Sequence, residues 1–269
     1  MEKITGKIIS RKPLAGGDIN DVFLITCENG NFVLKRNDHV PNDFFEKEAA
    51  GLTLLKRHGL NVPQVLHTDT RHLLLEYLPP QKNHILKDEV NAGRQLASLH
   101  SIKQNSFGLE YTNYIGSLKQ ENGIFNSWPE FYIKCRIDAQ LQLYFKNKPN
   151  PDEKHWQNLK KFIKHNLLPE FSSLLHGDIW AGNLYYSSKG PFFIDPAVYR
   201  GHYMVDLAFT EMFGGFGKDF YAAYNEILPV DKTYNDLKSL YQIYPLLVHA
   251  NLFGGSYYSS ALSLAKKYS

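Results

Sequence analysis

Residues 174–187 read LLHGDIWAGNLYYS, a short apolar run followed by polar residues in what reads as a turn between strands. Within this stretch His176, Asp178 and Asn183 follow the spacing His-x-Asp-x-x-x-x-Asn. That spacing is typical of the catalytic loop of phosphoryl-transfer enzymes, in which the Asp orients the attacking hydroxyl and the Asn holds a metal ion. The same residue types are common in turns, so the loop alone leaves an ordinary turn as the alternative.

A further carboxylate follows the loop at the end of an apolar run, where Phe-Phe-Ile-Asp brings in Asp195. A carboxylate is a poor core residue unless it binds a cation. We therefore expect Asn183 and Asp195 to bind Mg²⁺ that bridges the phosphates of ATP, with Asp178 as the catalytic residue. We interpret Asp206 as a support that ties its own helix to the loop, with a simple helix N-terminal acid as the alternative.

Upstream, the chain offers a candidate phosphate-binding turn between two predicted strands. We assign Gly16, Gly17 and Asp18 to nucleotide binding, because glycines let backbone N–H groups approach an anion closely; an ordinary hairpin turn is the alternative. Lys35 ends the next predicted strand. Kinases place there the lysine that contacts the α- and β-phosphates, although a strand lysine is usually a surface charge.

Such a lysine needs a carboxylate to hold it, and the following predicted helix offers two. We expect Glu48, which lies beside the apolar face, to point inward, and Glu46 to face water. Nucleotide contacts are also predicted on the backbone of Glu76, Tyr77 and Leu78. There the last predicted strand of the sheet ends before two prolines, which cannot continue a ladder.

The predicted elements are mostly strands in the first part of the chain and mostly helices afterwards. Residues 1–78 read as an antiparallel sheet with one helix, and residues 79–269 as a helical lobe whose only strand-like break is at 184–196. We expect Pro245 to kink or break its helix. The pattern predicts an α+β fold with two lobes, a small sheet lobe joined to a large helical one. With the phosphoryl-transfer motifs above, we expect the N-terminal lobe to bind nucleotide and the larger lobe to carry catalysis and acceptor binding.

Composition excludes several other classes of protein. The chain has 269 residues, 43% of them hydrophobic, which is enough to bury a sizeable core. Its net charge of +3 and its lack of a Lys/Arg block do not favour nucleic-acid binding, and no apolar run is long enough to span a membrane. Cys27 and Cys135 follow no metal-ligand spacing. We expect a cytoplasmic protein, a monomer or weak dimer.

The acceptor is expected to be small. Protein kinases have a long activation segment after the metal-binding Asp, but here Asp195 is soon followed by Asp206, within a predicted helix. Trp180 is a candidate to pack on an apolar sugar face or an amine substituent, with packing of the loop itself as the alternative. Tyr199 and His202 are candidates for the same substrate-binding wall.

These motifs resemble those of the fructosamine kinase (ketosamine-3-kinase) family, within the protein-kinase-like aminoglycoside phosphotransferase superfamily. HGDIWAGN at 176–183 is similar to the family signature HGDLWSGN, and FIDPAVYRGHYMVDLAF at 193–209 resembles FDPAVYYGHREADLA. The resemblance continues through FEKEAAGL at 45–52 and GRQLASLH at 93–100, so it covers nearly the whole chain in order.

The resemblance implies a bilobal kinase fold, ATP and Mg²⁺ as cofactors, and phosphorylation of the sugar 3-hydroxyl of fructosamines or other ketosamines, free or protein-bound. The 3-phosphates of these Amadori adducts are unstable and release the amine, which implies deglycation. Some members carry a loop Cys that supports redox-sensitive dimers, but this chain has Asp18 in that region. A kinase for an aminoglycoside- or choline-like amine, or a non-catalytic nucleotide-binding protein, remains an alternative.

Overall fold

The computed structural model of the chain describes residues 1–14, 19–81, 86–146 and 148–268. Its N-terminal part is a five-stranded antiparallel sheet in the order β1-β2-β3-β5-β4. The strands are β1 (Ile8–Pro13), β2 (Asp21–Cys27), β3 (Gly30–Arg36), β4 (Val65–Thr68) and β5 (His72–Glu76). A single turn, α1 (Glu2–Thr5), precedes the sheet, and α2 (Phe44–Arg57) lies between β3 and β4 in the chain.

Helix α2 packs because its apolar residues recur at helical spacing. Phe45, Leu52 and Leu55 are buried on the face that joins the main core. Gly59 follows the helix at a φ of 86°, a left-handed conformation that glycine adopts without the steric cost of a Cβ. The helix therefore presents a fixed inner face to the sheet, and Glu48 lies next to that face.

The C-terminal part is mainly helical, as predicted. Its α-helices are α3 (Leu86–Ser101), α4 (Trp128–Phe131), α5 (Ala139–Phe145), α6 (Glu153–Asn166), α7 (Met204–Thr210), α8 (Lys218–Ile227), α9 (Tyr234–Tyr241), α10 (Ile243–Phe253) and α11 (Tyr257–Lys266). A π-helical segment, Tyr132–Asp138, joins α4 to α5. Together with the N-terminal antiparallel sheet, this confirms the α+β class, while the exact division at residue 78 stays a prediction.

The expectation of one strand-like break in this half was wrong. A second five-stranded antiparallel sheet has the order β10-β7-β14-β11-β6, and two hairpins, β8–β9 and β12–β13, accompany it. The strands are β6 (Lys103–Gln104), β7 (Phe107–Leu109), β8 (Asn113–Ile115), β9 (Leu118–Gln120), β10 (Gly123–Phe125), β11 (Ser172–Leu175), β12 (Leu184–Ser187), β13 (Gly190–Phe193) and β14 (Tyr199–Gly201). Most are too short for a two-residue alternation to show in the sequence.

The predicted effect of Pro245 is confirmed. The helical run divides at Gln242, and Pro245 lies in the first turn of α10. A proline is tolerated there because the first N–H groups of a helix have no partner within it. None of the helices among the described residues is long and apolar enough to cross a membrane.

Candidate active site

The β12–β13 hairpin brings the two predicted metal ligands together. Leu184 pairs with Phe193 at the end of this ladder, so Asn183 and Asp195 lie just beyond it. The N–H of Ile194 donates to the carbonyl of Asn183 at 3.0 Å, which continues the pairing. Residues that are separated by a turn in the sequence therefore meet at one end of the hairpin.

Asp178 is hydrogen-bonded to Asn183, one member of this pair. The side-chain Nδ2 of Asn183 donates to the Asp178 carbonyl at 2.7 Å and to its Oδ2 at 3.1 Å. Burial, reinforced by the Asp195 carboxylate, raises the pKa of Asp178 to about 7, although the Asn183 hydrogen bond opposes the rise. A carboxyl group whose pKa lies near neutral pH can accept a proton from a hydroxyl, as general-base catalysis requires.

Asp206 supports the loop from behind. It is fully buried and accepts hydrogen bonds from the backbone N–H groups of His176 at 2.7 Å and Gly177 at 3.0 Å. His100 Nε2 lies 3.1 Å from the same carboxylate. Burial lowers the pKa of His176, whose Nε2 lies 3.0 Å from the Ile194 carbonyl and donates to it. Asp206 and His176 thus hold the loop in place.

Lys35 extends from β3 and reaches two carboxylates. Its Nζ is 2.6 Å from Glu48 Oε1 and also contacts the Asp195 carboxylate. Burial lowers the pKa of Lys35, but the two carboxylates raise it more, so the side chain stays charged; burial raises the pKa of Glu48. Lys35 is only 5% exposed, so it is not the surface charge that a strand lysine usually is.

A cavity of about 430 Å³ lies over these groups, and residues from both parts of the chain line it. Asp178, Asn183 and Asp195 are among them, and so is Trp180. The Trp180 side chain is 40% exposed, and its indole lies over Gly182, where a Cβ would be 2.2 Å from the ring. A flat, accessible ring beside the catalytic groups fits a role in acceptor binding.

Another part of the cavity wall is aromatic. Phe213, His249, Phe253 and Tyr257 line it. The ring of His249 lies 5.1 Å from Phe213, 5.6 Å from Phe253 and 5.1 Å from Tyr257, measured between centroids. Sequence reasoning missed His249, because a histidine within an apolar helix carries no local signal of ligand contact.

Tyr199 and His202 are not among the described residues that line this cavity, which corrects their assignment to the substrate wall. Tyr199 is fully buried, and Cζ of Arg136 lies 3.9 Å from the centroid of the Tyr199 ring. His202 is 8% exposed and hydrogen-bonds Tyr241 at 2.6 Å. Tyr199 pairs with Leu175 where β14 joins β11 in the C-terminal sheet, and His202 follows directly after that strand.

The backbone segment predicted to contact the nucleotide, residues 76–78, is not among the described residues that line this cavity. Glu76 ends β5, and the carbonyl of Leu78 accepts a hydrogen bond from the Tyr185 hydroxyl at 3.0 Å, so this segment meets the β12–β13 hairpin. Glu76, Tyr77 and Leu78 are not among the described residues that line the 430 Å³ cavity, and their role stays a prediction. Gly16, Gly17 and Asp18 lie outside the described residues.

The donor set fits Mg²⁺. Because Nδ2 of Asn183 donates to Asp178, the amide oxygen of Asn183 is the atom that can coordinate, next to the Asp195 carboxylate. Within the described ranges no cluster of three or more His, Cys, Asp or Glu side chains is suited to a metal ion. Mg²⁺ does not need one, since it commonly binds one or two carboxylates together with substrate phosphates.

The site combines a buried lysine–carboxylate pair, Lys35 and Glu48, with a catalytic aspartate, Asp178. Asn183 and Asp195 add two oxygen ligands for a metal ion. This combination defines a phosphotransferase of the protein-kinase-like class. Solved structures support the fold: the gentamicin complex of an aminoglycoside phosphotransferase superposes with a TM-score of 0.66 at 16% identity, covering 99% of this chain and 95% of that one. A structure from Thermobifida fusca assigned as a fructosamine-3-kinase reaches 0.87 at 29% identity, covering 99% and 96%.

The fructosamine kinase family model matches residues 2–268, and the chain belongs to this family. A "Probable ketoamine kinase" of Enterococcus faecium is 34% identical over 99% of this chain and 96% of its own length. The chloroplastic protein-ribulosamine 3-kinase of Arabidopsis thaliana is 33% identical over 95% of this chain and 81% of its own. The chain is therefore a kinase that phosphorylates a hydroxyl acceptor.

Proposed function

We propose that this kinase transfers the γ-phosphoryl group of Mg·ATP to the sugar 3-hydroxyl of ketosamines, the Amadori adducts of sugars with amines. The observation that carries the proposal is the position of Asp178, which adjoins the Asn183–Asp195 pair and faces the aromatic-walled cavity. Family membership and relatives named for ketoamines and ribulosamines support this acceptor class. A cavity of this size suits a sugar–amine adduct.

Each group has a defined part in the reaction. Lys35, held by Glu48, would contact the α- and β-phosphates of bound ATP, and Asn183 and Asp195 would hold Mg²⁺. The metal ion, when bound, neutralises charge that develops on the transferred phosphoryl group. Asp178 orients the 3-hydroxyl and takes its proton as the bond from O3 to the γ-phosphorus forms and the bond from that phosphorus to ADP breaks.

An acceptor panel tests the proposal. Fructosyl-lysine, ribulosyl-lysine, an aminoglycoside and choline are each supplied with Mg·ATP, and ADP formation is followed in a coupled assay. We expect the two ketosamines to give the highest kcat/KM values. An aminoglycoside or choline preferred over both ketosamines would contradict the assignment and favour another small hydroxylated amine.

Trp180→Ala is expected to raise the KM for the ketosamine about 10-fold or more while changing the KM for ATP little, because burial of an aromatic surface against the acceptor is worth on the order of 1–3 kcal/mol. Phe192→Leu, at a buried position within the β12–β13 hairpin, serves as a control for general loop damage. Equal increases in both KM values would mean that Trp180 only packs the loop.

For nucleotide recognition we propose the backbone of Glu76, Tyr77 and Leu78, with Gly16, Gly17 and Asp18 contributing a turn over the phosphates. The strand β5 ends at Glu76, where its pairing with β3 stops, so the following groups are placed at the junction of the two parts of the chain. A crystal structure with an ATP analogue should show adenine against residues 76–78. Adenine bound elsewhere would refute this assignment.

A further inference from the structure

The backbone that follows Asp195 is held from behind by two buried amide side chains. Nε2 of Gln120 donates to the carbonyl of Ala197 at 3.1 Å, and Nδ2 of Asn113 donates to the carbonyl of Val198 at 2.9 Å. Gln120 is 1% and Asn113 is 3% exposed. The β8–β9 hairpin carries both amides, so the hairpin is hydrogen-bonded to the backbone two and three residues beyond Asp195.

The orientation of both amides is itself fixed by further buried groups. The Tyr244 hydroxyl donates to Oε1 of Gln120 at 2.7 Å. Oδ1 of Asn113 accepts from Nε2 of Gln120 and from Nδ2 of Asn122, each at 2.8 Å. The Arg136 guanidinium donates to Oδ1 of Asn122 at 2.8 Å. Because each oxygen already accepts, the amide nitrogens point toward residues 197 and 198.

Arg136, at the far end of this network, is a fully buried cation. It donates to the carbonyls of Glu121 at 2.7 Å and Cys135 at 3.0 Å, and lies over the rings of Tyr199 and Phe131 at 3.9 and 4.5 Å. In the part of the chain that the structure describes, no carboxylate forms an ion pair with it. Burying a charge is costly, and well-packed apolar residues often stabilise a fold as well or better.

The opposite side of the segment is held too. The N–H of Ala197 donates to the carbonyl of His176 at 2.9 Å, which ties it to the catalytic loop. A Cβ built on Gly51 would lie 3.4 Å from Val198, so this side chain packs against α2 one turn beyond Glu48. Asp195 itself has a φ of 56°, a left-handed conformation that a non-glycine residue keeps only when its surroundings determine it.

We propose that Gln120 and Asn113 are positioning residues of the kinase reaction, which keep Asp195 in the left-handed conformation that aims its carboxylate at Lys35 and at the metal ion. The proposal rests on the proposed function only in assigning Asp195 to the metal that accompanies ATP. Loss of the Gln120 amide frees the carbonyl of Ala197 and lets Asp195 relax away from Asn183. Groups that orient a metal ligand from behind typically change metal affinity or activity about 10–100-fold.

The test compares Gln120→Met with Gln140→Met in the full chain. Gln140 is a matched control, because it is 3% exposed and its Oε1 accepts from Asn251 at 2.8 Å, away from Asp195. A non-hydrolysable ATP analogue is titrated calorimetrically at increasing Mg²⁺, without acceptor, and amide hydrogen exchange is measured on the nucleotide-free proteins. We expect Gln120→Met to raise the Mg²⁺ concentration for half-maximal analogue binding about 10-fold or more. Exchange at Ala197 should be faster than in the wild type.

Gln140→Met should also lower Tm, because it removes the bond from Asn251, but it should change neither readout. Tyr244→Phe, which removes only the bond to Oε1 of Gln120, is the milder variant should Gln120→Met fold poorly, and we expect it to shift both readouts in the same direction. Mg²⁺ dependence and Ala197 exchange that stay at wild-type values in the folded variants would overturn the proposal. Because no acceptor is present, this outcome is separate from a failure to phosphorylate ketosamines.

Discussion

Asp178→Asn should lower the rate of phosphoryl transfer about 10²–10⁴-fold, the range of general-base and positioning effects, while leaving Mg·ATP binding nearly unchanged. The reason is that Asp178 contacts Asn183 through a hydrogen bond that an asparagine oxygen can also accept, so the metal site is kept while the proton acceptor is lost. Steady-state rates on fructosyl-lysine, beside calorimetric titration of ATP with and without Mg²⁺, measure both effects.

The control for this variant is Asp195→Asn, which removes a charged metal ligand. We expect Asp195→Asn to weaken Mg²⁺-dependent ATP binding as well as phosphoryl transfer. Added Mg²⁺ should partly restore the activity of Asp195→Asn, but it should not restore the activity of Asp178→Asn. If both variants lost ATP affinity equally, the loop from His176 to Asn183 would be a metal site only, and the base would lie elsewhere.

Asp178→Asn should also stabilise the folded protein when nucleotide and Mg²⁺ are absent. In the folded chain the pKa of Asp178 is raised from its ordinary 3.8 to about 7, which corresponds to at most about 4 kcal/mol. Between these values the folded state binds more protons than the unfolded state, so the free energy of unfolding falls as the pH rises from about 4 to about 7. Thermal melting at pH 8 should therefore give a higher Tm for Asp178→Asn than for the wild type. At pH 4 the difference in Tm between Asp178→Asn and the wild type should shrink. A Tm of Asp178→Asn at pH 8 that is equal to or lower than that of the wild type would contradict the prediction.

Lys35→Met should abolish most of the turnover and also destabilise the fold. It removes the phosphate contact, and it leaves the Glu48 carboxylate, whose side chain is 12% exposed, near Asp195 without a cation. Removing one partner of a buried ion pair costs about 3–5 kcal/mol. Denaturant unfolding and steady-state kinetics measure the two losses, and near-normal activity would refute the assignment of Lys35.

The double variant Lys35→Met/Glu48→Leu separates these losses. Replacing Lys35 and Glu48 by apolar groups removes the buried carboxylate that the single variant strands. It leaves only Asp195 without the lysine, and the Asp195 side chain is 39% exposed to water, so we expect most of the stability to return. Activity should not return, because no cation remains to contact the phosphates. The loss in the single variant should also be smaller at pH 5 than at pH 8, since burial already raises the pKa of Glu48 and a neutral carboxyl needs no partner.

The fold class and the residues that meet in the cleft could be predicted because their signals are local. Asp178 and Asn183 lie in one loop, and the apolar strand ahead of Asp195 shows in the sequence. The pairing of Lys35 with Glu48 followed from a strand-then-helix order with an acid beside the apolar face. Each of these inferences needed only a short stretch and the direction of its side chains.

The errors concern long-range pairing. Tyr199 and His202 follow Asp195 closely in sequence. However, Tyr199 lies in the pairing of β14 with β11 and His202 hydrogen-bonds the distant Tyr241, which no local pattern shows. For the same reason the second sheet was missed, and so was the support that Gln120 gives to the Ala197 carbonyl, a contact between residues far apart in the chain. Burial of Lys35 likewise depends on how α2 packs over the sheet.

The most direct test of the central claim is the position of the phosphate in the product. Fructosyl-lysine labelled with ¹³C at C3 is incubated with the enzyme and Mg·ATP, and ¹³C and ³¹P spectra are recorded at early times. We predict a new phosphomonoester whose phosphorus couples to the labelled C3, formed with one ADP per ester and formed about 10²–10⁴-fold more slowly by Asp178→Asn. A phosphate on another hydroxyl, or ADP without a sugar phosphate or its breakdown products, would contradict the account.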